Sequence, residues 1–339
     1  MVASYVGVAG LRRWAERRNI LDIPNERSSH TRPTPRGGGL AIVVLTLAGL
    51  LVYAALTPDR NWTAILGYGC GAVIIAAVSW WDDMHSLSSS VRLAAHGAGA
   101  VAAIWTLGYW GCVIVPLAGS VCLGWAGLPL TFVWIVGFTN AYNFMDGIDG
   151  IAGSQAVAAG LGWMVLGQLS GQPAVSVLGL LLASSTLGFL GHNWPPARIF
   201  MGDVGSAFLG YTFAALAVAA VRGNPRLALA GILLVWPFVF DTTLTLIRRL
   251  SRRENVFSAH RSHLYQRLVI AGYSHRGVTL LYAGLAVAGA LLAIIWFIGS
   301  PGSATFVTLT VIALCLLLWV LVDRAEREAR GEGLRDASD

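Results

Sequence analysis

Lysine is absent from this chain: all 23 basic residues are arginine. Any anionic ligand must therefore be gripped by planar guanidinium groups or by backbone N–H groups, not by an ammonium point charge. Codon bias of a GC-rich genome is the main cause of this usage, so the absence alone names no ligand. Charge of either sign is scarce, at 12% of residues against 56% hydrophobic, where a soluble domain carries about 25% charged residues. No charged residue lies between Arg92 and Asp146, between Asp149 and Arg198, or between Arg276 and Asp323. Each gap exceeds the ~20 residues that cross a bilayer. The runs lack strict alternation, which excludes a transmembrane β-barrel. The excess of +6 reads as an orientation signal and not as affinity for nucleic acid. Cysteine is rare too, and Cys70, Cys112, Cys122 and Cys315 have no metal-ligand spacing. Cys70 and Cys315 sit inside apolar runs. Cys112 and Cys122 share one loop and can pair if that loop is extracytoplasmic.

The expected fold is an all-α, polytopic membrane protein embedded in the lipid bilayer. Spans are predicted at roughly 40–57, 62–81, 91–110, 128–145, 151–170, 174–192, 205–221, 227–247, 277–299 and 304–322. Residues 109–127 read as a small hairpin. The apolar stretch Met1–Leu11 is too short to span and reads as a truncated or mis-started first helix, giving about 10–11 spans. The expected organisation is one membrane domain over 1–322 and a short, solvated cytoplasmic tail over 323–339. If loop 12–37 is cytoplasmic, strict alternation puts 20 of the 23 arginines on that side, leaving only Arg60, Arg222 and Arg226 opposite. The positive-inside rule fixes this orientation, with the catalytic loops on the cytoplasmic face.

The same alternation gathers Asp82, Asp83, Asp146, Asp149 and Asp203, with His192, His260 and His263, at one rim of the bilayer. Unrelated structural charges would scatter to both faces. Asn140, Asn143, Asp146 and Asp149 follow one another at steps of three in NAYNFMDGIDG, at the end of an uncharged run. Asn143 and Asp146 can share a helix face, while Gly147 and Gly150 end the helix and re-aim Asp149. Carboxylates at such a rim call for a cation or another partner. Trp80-Trp81-Asp82-Asp83 places adjacent carboxylates at a span end, either as a charged site or as an interfacial anchor with the tryptophans in the aromatic belt. In HNWPPARIFMGDVGS, glycines bracket Asp203 at a helix start. That position suits phosphate chemistry, with an N-cap as the plain alternative. Arg198 can pair with phosphate, and Phe200 offers a flat face for a base.

The loop 248–276 carries AHRSHLYQRL, with His260 and His263 on one helix face. Zinc lacks a third ligand there, so these histidines and Arg261 read as grips for phosphate. Arg36, in the donor-rich loop DIPNERSSHTRPTPRGGG with Ser28, Ser29 and His30, has the same reading, against that of a solvated linker. Asp241 is open between an ion pair with an arginine and membership of the site. Together the segments meet the needs of phosphoryl transfer at a membrane surface, with oxygen ligands for Mg2+ and Arg and His for the phosphates. An ion-coupled transporter is the rival class, but it would place ionisable residues near the midplane.

These five motifs, in this order, resemble the polyprenyl-phosphate N-acetylhexosamine-1-phosphate transferase family, and most closely its O-antigen-initiating branch. The resemblance implies that undecaprenyl phosphate attacks a UDP-N-acetylhexosamine, releasing UMP with Mg2+ as cofactor (Mn2+ in its place). It implies Asp203 as the metal ligand and Asp82 and Asp83 beside the lipid phosphate. Asn143, Asp146 and Asp149 would form the nucleotide and diphosphate site, Phe200 would stack on uracil, and His260 and His263 would make the histidine motif. It further implies a bacterial plasma membrane location and allows a homodimer. The triple histidine usual in the phospho-MurNAc-pentapeptide transferase is replaced here by His260-Arg261-Ser262-His263. UDP-GlcNAc or a 6-deoxy sugar such as UDP-FucNAc or UDP-QuiNAc is therefore the expected donor. The lipid phosphate is largely deprotonated at neutral pH, so no base is assigned between Asp82 and Asp83.

Overall fold

The computed structural model describes residues 1–24, 32–58, 61–255 and 260–331. In chain order the helices begin with α1 (Val2–Arg18), α2 (Gly39–Leu56), α3 (Trp62–His85), α4 (Ser89–Leu107) and α5 (Gly127–Phe144). They continue as α6 (Ile151–Leu169), α7 (Pro173–Asn193), α8 (Asp203–Val221) and α9 (Leu227–Leu234). The last are α10 (Trp236–Ser251), α11 (Leu264–Ile270), α12 (His275–Ile298) and α13 (Ser303–Ala329). A two-residue pair, β1 (Leu21–Asp22) with β2 (Thr34–Pro35), closes the first loop, from which Ser28, Ser29 and His30 lie outside the described residues. The hairpin expected over 109–127 is present as antiparallel β3 (Cys112–Val115) and β4 (Gly119–Cys122). Cys112 and Cys122 face each other across it and form a disulfide.

The protein is therefore an all-α polytopic membrane protein, and its organising element is α8. Its apolar residues go all the way round, so it is stable only where other helices enclose it. In its most apolar window 89% of residues are buried, against 17% for α13. α2, α3, α4, α5 and α9 pack around α8, while α13 turns Phe306, Leu309 and Leu317 outward, as a lipid-facing helix does. The approach of α2 to α8 is backbone on backbone. A Cβ at Gly39 would run into the Gly205 backbone, and one at Gly205 would meet the Gly39 Cα at 2.7 Å. Gly38 and Gly39 donate their N–H groups to the carbonyls of Phe200 and Met201 at 3.0 and 2.9 Å. The glycine run Gly37–Gly39 is what lets the first loop lie against the start of α8.

Several expectations change. Among the described residues six helices are long and apolar enough to cross a membrane, or seven if α9 and α10 count as one bent span. That is fewer than the 10–11 expected, because α4, α5 and α6, although as long as α2 and α8, carry more polar and small residues. Such residues suit helices that face other helices more than lipid. The single span expected over 227–247 is two helices, bent by 77° at Val235. Pro237 stands in the first turn of α10, where its missing N–H favours a fresh helix start over continuation. Residues 324–329 do not form a detached solvated helix but continue α13, and Glu326 receives Arg267 through two hydrogen bonds of 2.5 Å. The rest of the expected tail, 332–339, lies outside the described residues. α1 is held to α7 by Tyr5, which stacks on His192 at 4.2 Å and whose carbonyl accepts from the His192 Nε2 at 3.0 Å. His192 is thus a packing residue, not part of a ligand grip.

The close approach of α2 and α8 makes a direct prediction. Gly205→Val should lower stability by about 1–3 kcal/mol, read as a fall in melting temperature of ~2–4 °C per kcal/mol. An unchanged melting curve would contradict the backbone contact.

Candidate active site

Gly202 leads into α8 with φ 75°, and a Cβ there would lie 2.6 Å from Oδ2 of Asp83. Only glycine brings the chain into a helix in this conformation and this close to a carboxylate. The first amides of α8 are thereby turned onto α3. The N–H groups of Asp203 and Val204 donate to Asp83 Oδ1 and Oδ2 at 2.9 and 3.1 Å. α8 is thus capped in trans by Asp83, not by Asp203, which is the first residue of the helix. The N-cap alternative for Asp203 fails, and its carboxylate is released for other contacts. It meets Arg92 Nη1 at 3.4 Å, and the same guanidinium nitrogen stands 3.3 Å from Asp82 Oδ2. The second Asp82 oxygen accepts the N–H of Leu87. Arg36 lies within electrostatic reach of Asp83, and its Nε is buried without a hydrogen-bond partner.

The NAYNFMDGIDG stretch divides into two parts. α5 carries Asn143 to its last turn, and Asp146 follows just past its end. Burial, then the charges of Asp203, Asp83 and Asp149, push the Asp146 carboxyl well above the usual carboxylate range. Asp149 instead braces the wall. Its Oδ2 accepts the Ala197 N–H at 3.0 Å, its Oδ1 stands 3.6 Å from His275 Nδ1, and its carbonyl accepts from Thr279 at 2.7 Å. Asn193 joins the two loops, accepting from Gly150 N–H at 2.9 Å and donating to the Ile199 carbonyl at 3.0 Å. Asp146 is the carboxylate of this stretch that feels Asp203.

The partner of Asp241 is not an arginine. Asp241 is fully buried and accepts from the N–H groups of Leu264 and Tyr265 at 2.9 and 3.1 Å. It also accepts from the Tyr282 hydroxyl at 2.6 Å and contacts His263 Nδ1 at 3.1 Å. One carboxylate therefore caps α11 and orients His263. The Nε2 of His263 is buried and has no hydrogen-bond partner. The rings of His263 and His260 are 5.0 Å apart, and Phe144 lies 6.1 and 6.4 Å from them. Tyr265 donates to the Phe144 carbonyl at 2.9 Å. It feels the charges of both Asp146 and Arg261, which brings the histidine loop against the end of α5. Arg198 is exposed on its loop, while Phe200 is held by its backbone, donating to Pro35 and accepting from Gly38.

Arg92, which bridges two aspartates, counted only as an orientation charge in the sequence. Its signal was its place at the start of the helix that follows Asp82 and Asp83. His275 had a similar signal, a histidine opening a helix beside an acidic loop. Four carboxylates, Asp82, Asp83, Asp146 and Asp203, thus share one site with the cations Arg92 and Arg36. This set of hard oxygen donors with an excess of negative charge fits a hard divalent cation. Among the described residues no three His, Cys, Asp or Glu side chains converge as a ready-made cage.

The profile of glycosyl transferase family 4 matches residues 65–221. The chain is 37% identical over 277 residues to the probable undecaprenyl-phosphate N-acetylglucosaminyl 1-phosphate transferase of Bacillus subtilis strain 168, across 80% of this chain and 76% of that protein. It is 30% identical over 323 residues to a decaprenyl-phosphate N-acetylglucosaminephosphotransferase of Mycobacterium tuberculosis, across 85% and 79%. A phospho-N-acetylmuramoyl-pentapeptide-transferase of Synechococcus is 33% identical over 235 residues, across 66% of each chain.

Two predictions follow from the carboxylates. A carboxyl raised in the folded state favours folding most when protonated, and that contribution is lost as pH rises from the unfolded value through the raised one. Asp146→Asn should therefore raise the melting temperature of metal-free protein at neutral pH. It should change little at or below the ordinary carboxylate pKa of about 3.9. Equal melting at neutral pH would refute the charge crowding around Asp146. Asp241→Ala removes several hydrogen bonds to a buried charge, each worth ~1.5–3 kcal/mol, and should be among the most destabilising single changes on this face. A melting point within a degree or so of the parent would contradict its role as anchor.

Proposed function

This chain belongs to glycosyl transferase family 4, the polyprenyl-phosphate N-acetylhexosamine-1-phosphate transferases, and we propose UDP-GlcNAc as its donor and undecaprenyl phosphate as its acceptor. It is a multi-pass membrane enzyme that transfers a sugar phosphate to a polyprenyl phosphate. In the proposed reaction a lipid phosphate oxygen forms a bond to the β-phosphorus of the UDP-sugar. The bond from that phosphorus to the bridging oxygen breaks, and UMP leaves with the electron pair. A polyprenyl-diphospho-sugar remains, ready to start an O-antigen or another envelope polysaccharide. GlcNAc is favoured over FucNAc or QuiNAc by what the Bacillus and Mycobacterium relatives are named for.

The observation that carries this reading is the junction of α3, α4 and α8. There the start of a buried helix, three aspartates and one arginine meet at a single membrane rim. Asp203, with Asp146 facing it, would hold Mg2+, which when bound neutralises the diphosphate and polarises it for attack. Arg92 lies between Asp82 and Asp203, where it can follow charge as it moves from the bridging oxygen to UMP. Asp82 is better placed than Asp83 to orient the lipid phosphate, because both Asp83 oxygens are held by α8 amides. His263, oriented by Asp241, can offer Nε2 to a diphosphate oxygen. The distribution of arginine supports a cytoplasmic active site in a bacterial plasma membrane. The phospho-MurNAc-pentapeptide donor is the second reading, favoured by the Synechococcus relative.

A donor panel separates these readings. Purified protein with Mg2+ and undecaprenyl phosphate should release UMP from UDP-GlcNAc. Release from UDP-MurNAc-pentapeptide alone would move the chain to the second reading, and release from no donor by folded protein would end the enzymatic one. Asp203→Asn should lower turnover at least about 100-fold without loss of fold, and near-parental turnover would remove it as the metal ligand.

A further inference from the structure

Away from the aspartates, the cytoplasmic ends of α10, α11 and α13 enclose a cavity of about 420 Å3. Its charged lining is Arg248, Arg252, Arg267 and Arg330 against Asp323 and Glu326. The two carboxylates are already engaged: Glu326 by Arg267 at 2.5 Å, and Asp323 by Arg327 at 3.0 Å. Among the described residues, no carboxylate comes within ion-pair distance of Arg248, Arg252 or Arg330. Burial and the like charges of Arg267 and Arg252 act on Arg248, against the attraction of Glu326 and Glu254 at longer range. Four guanidinium groups turned onto one cavity with only two carboxylates, both already ion-paired, leave an excess of positive charge that calls for an anion with several acceptor oxygens.

The remaining wall says which anion. Leu244, Ile247 and Trp319 line it, and Ile247 and Trp319 are 57% and 48% exposed on the outer surface of the helix bundle. Leu250 and Leu316, exposed to 56% and 53%, extend the apolar surface along the same two helices. A tryptophan beside arginines marks the level of lipid headgroups. The arginine distribution places this level at the cytoplasmic leaflet, whose lipids are anionic. Of the motif residues Ser262, Leu264 and Arg267 line the cavity, and none of His260, His263, Asp82, Asp83, Asp146 or Asp203 does. A polyprenyl phosphate positioned for transfer has no reacting group here.

We propose that this cavity binds the phosphate headgroup of an anionic phospholipid of the surrounding leaflet, with its acyl chains along α10 and α13. The bound lipid joins the end of α13 to the helices that carry Asp241 and His263. It therefore stabilises the histidine loop from outside the transfer site.

The test uses full-length protein in nanodiscs of phosphatidylcholine alone or of equimolar phosphatidylglycerol and phosphatidylcholine. Parental protein should melt higher with phosphatidylglycerol and retain it in native mass spectrometry. Arg248→Gln with Arg252→Gln should abolish both effects, melt as the parent does in phosphatidylcholine, and keep the parental KM for undecaprenyl phosphate. The site is overturned if phosphatidylglycerol shifts neither protein or shifts both equally. A several-fold rise in that KM in the double variant would give the cavity to the substrate lipid instead. Inorganic phosphate reproducing the full shift in phosphatidylcholine discs would show an anion site with no lipid.

Discussion

The two hydrogen bonds from the first amides of α8 to Asp83 fix the position on which the rest of the aspartate-bearing face depends. A helix start buried inside a bundle has amides that neither water nor its own backbone can satisfy. Here their partner is a carboxylate on a different helix, so the cap also joins α3 to α8. The joint needs glycine at 202, where any side chain would displace the carboxylate, and glycines at 39 and 205, where α2 presses against α8. The geometry leaves Asp203 at the first helical position with its side chain free of capping, directed at Arg92.

Once that joint is in place, the acidic residues sort by what each already holds. Asp83, Asp149 and Asp241 accept backbone N–H groups and hold together α3 with α8, the 193–200 loop with α12, and α10 with α11. Among the described residues Asp82, Asp146 and Asp203 hold no amide of another helix or loop, and on the proposed reading they are the ones that serve the chemistry. The two groups are indistinguishable by residue type or by hydropathy. They differ in whether an amide of another element lies within reach, since Asp82 accepts only the Leu87 N–H of the turn that follows it, and that is a property of tertiary placement.

This sets how far the sequence could be read. Span ends and the membrane face of the aspartates follow from hydropathy and arginine counts, because the bilayer imposes one length and one charge asymmetry on every segment. The hairpin at 112–122 was legible from local turn chemistry, and the structure closes its two cysteines into a disulfide. The 77° bend at Val235 was not legible, since an apolar run gives the same hydropathy straight or broken. Nor was the fate of Asp241, whose partners come from 22 to 41 residues further along the chain. Arg92 was hidden for a different reason: an arginine at a cytoplasmic helix start satisfies the positive-inside rule whether or not it also bridges two carboxylates.

The charge balance of the proposed site explains why the structural and chemical aspartates must coexist. A diphosphate and a lipid phosphate are both anions, and four carboxylates answered by two arginines would repel them. Asp83 is offset by the start of α8, whose aligned peptide dipoles act as partial positive charge. Arg92 offsets part of the charge on Asp82 and Asp203. Among the described residues Asp146 has no such relief, and burial, then the charges of Asp203, Asp83 and Asp149, hold its carboxyl well above the usual carboxylate range. On the proposed reading, the residual charge sets an order on binding. Substrate phosphates become tolerable only with a divalent cation, so donor and cation enter the site together and neither is held firmly alone.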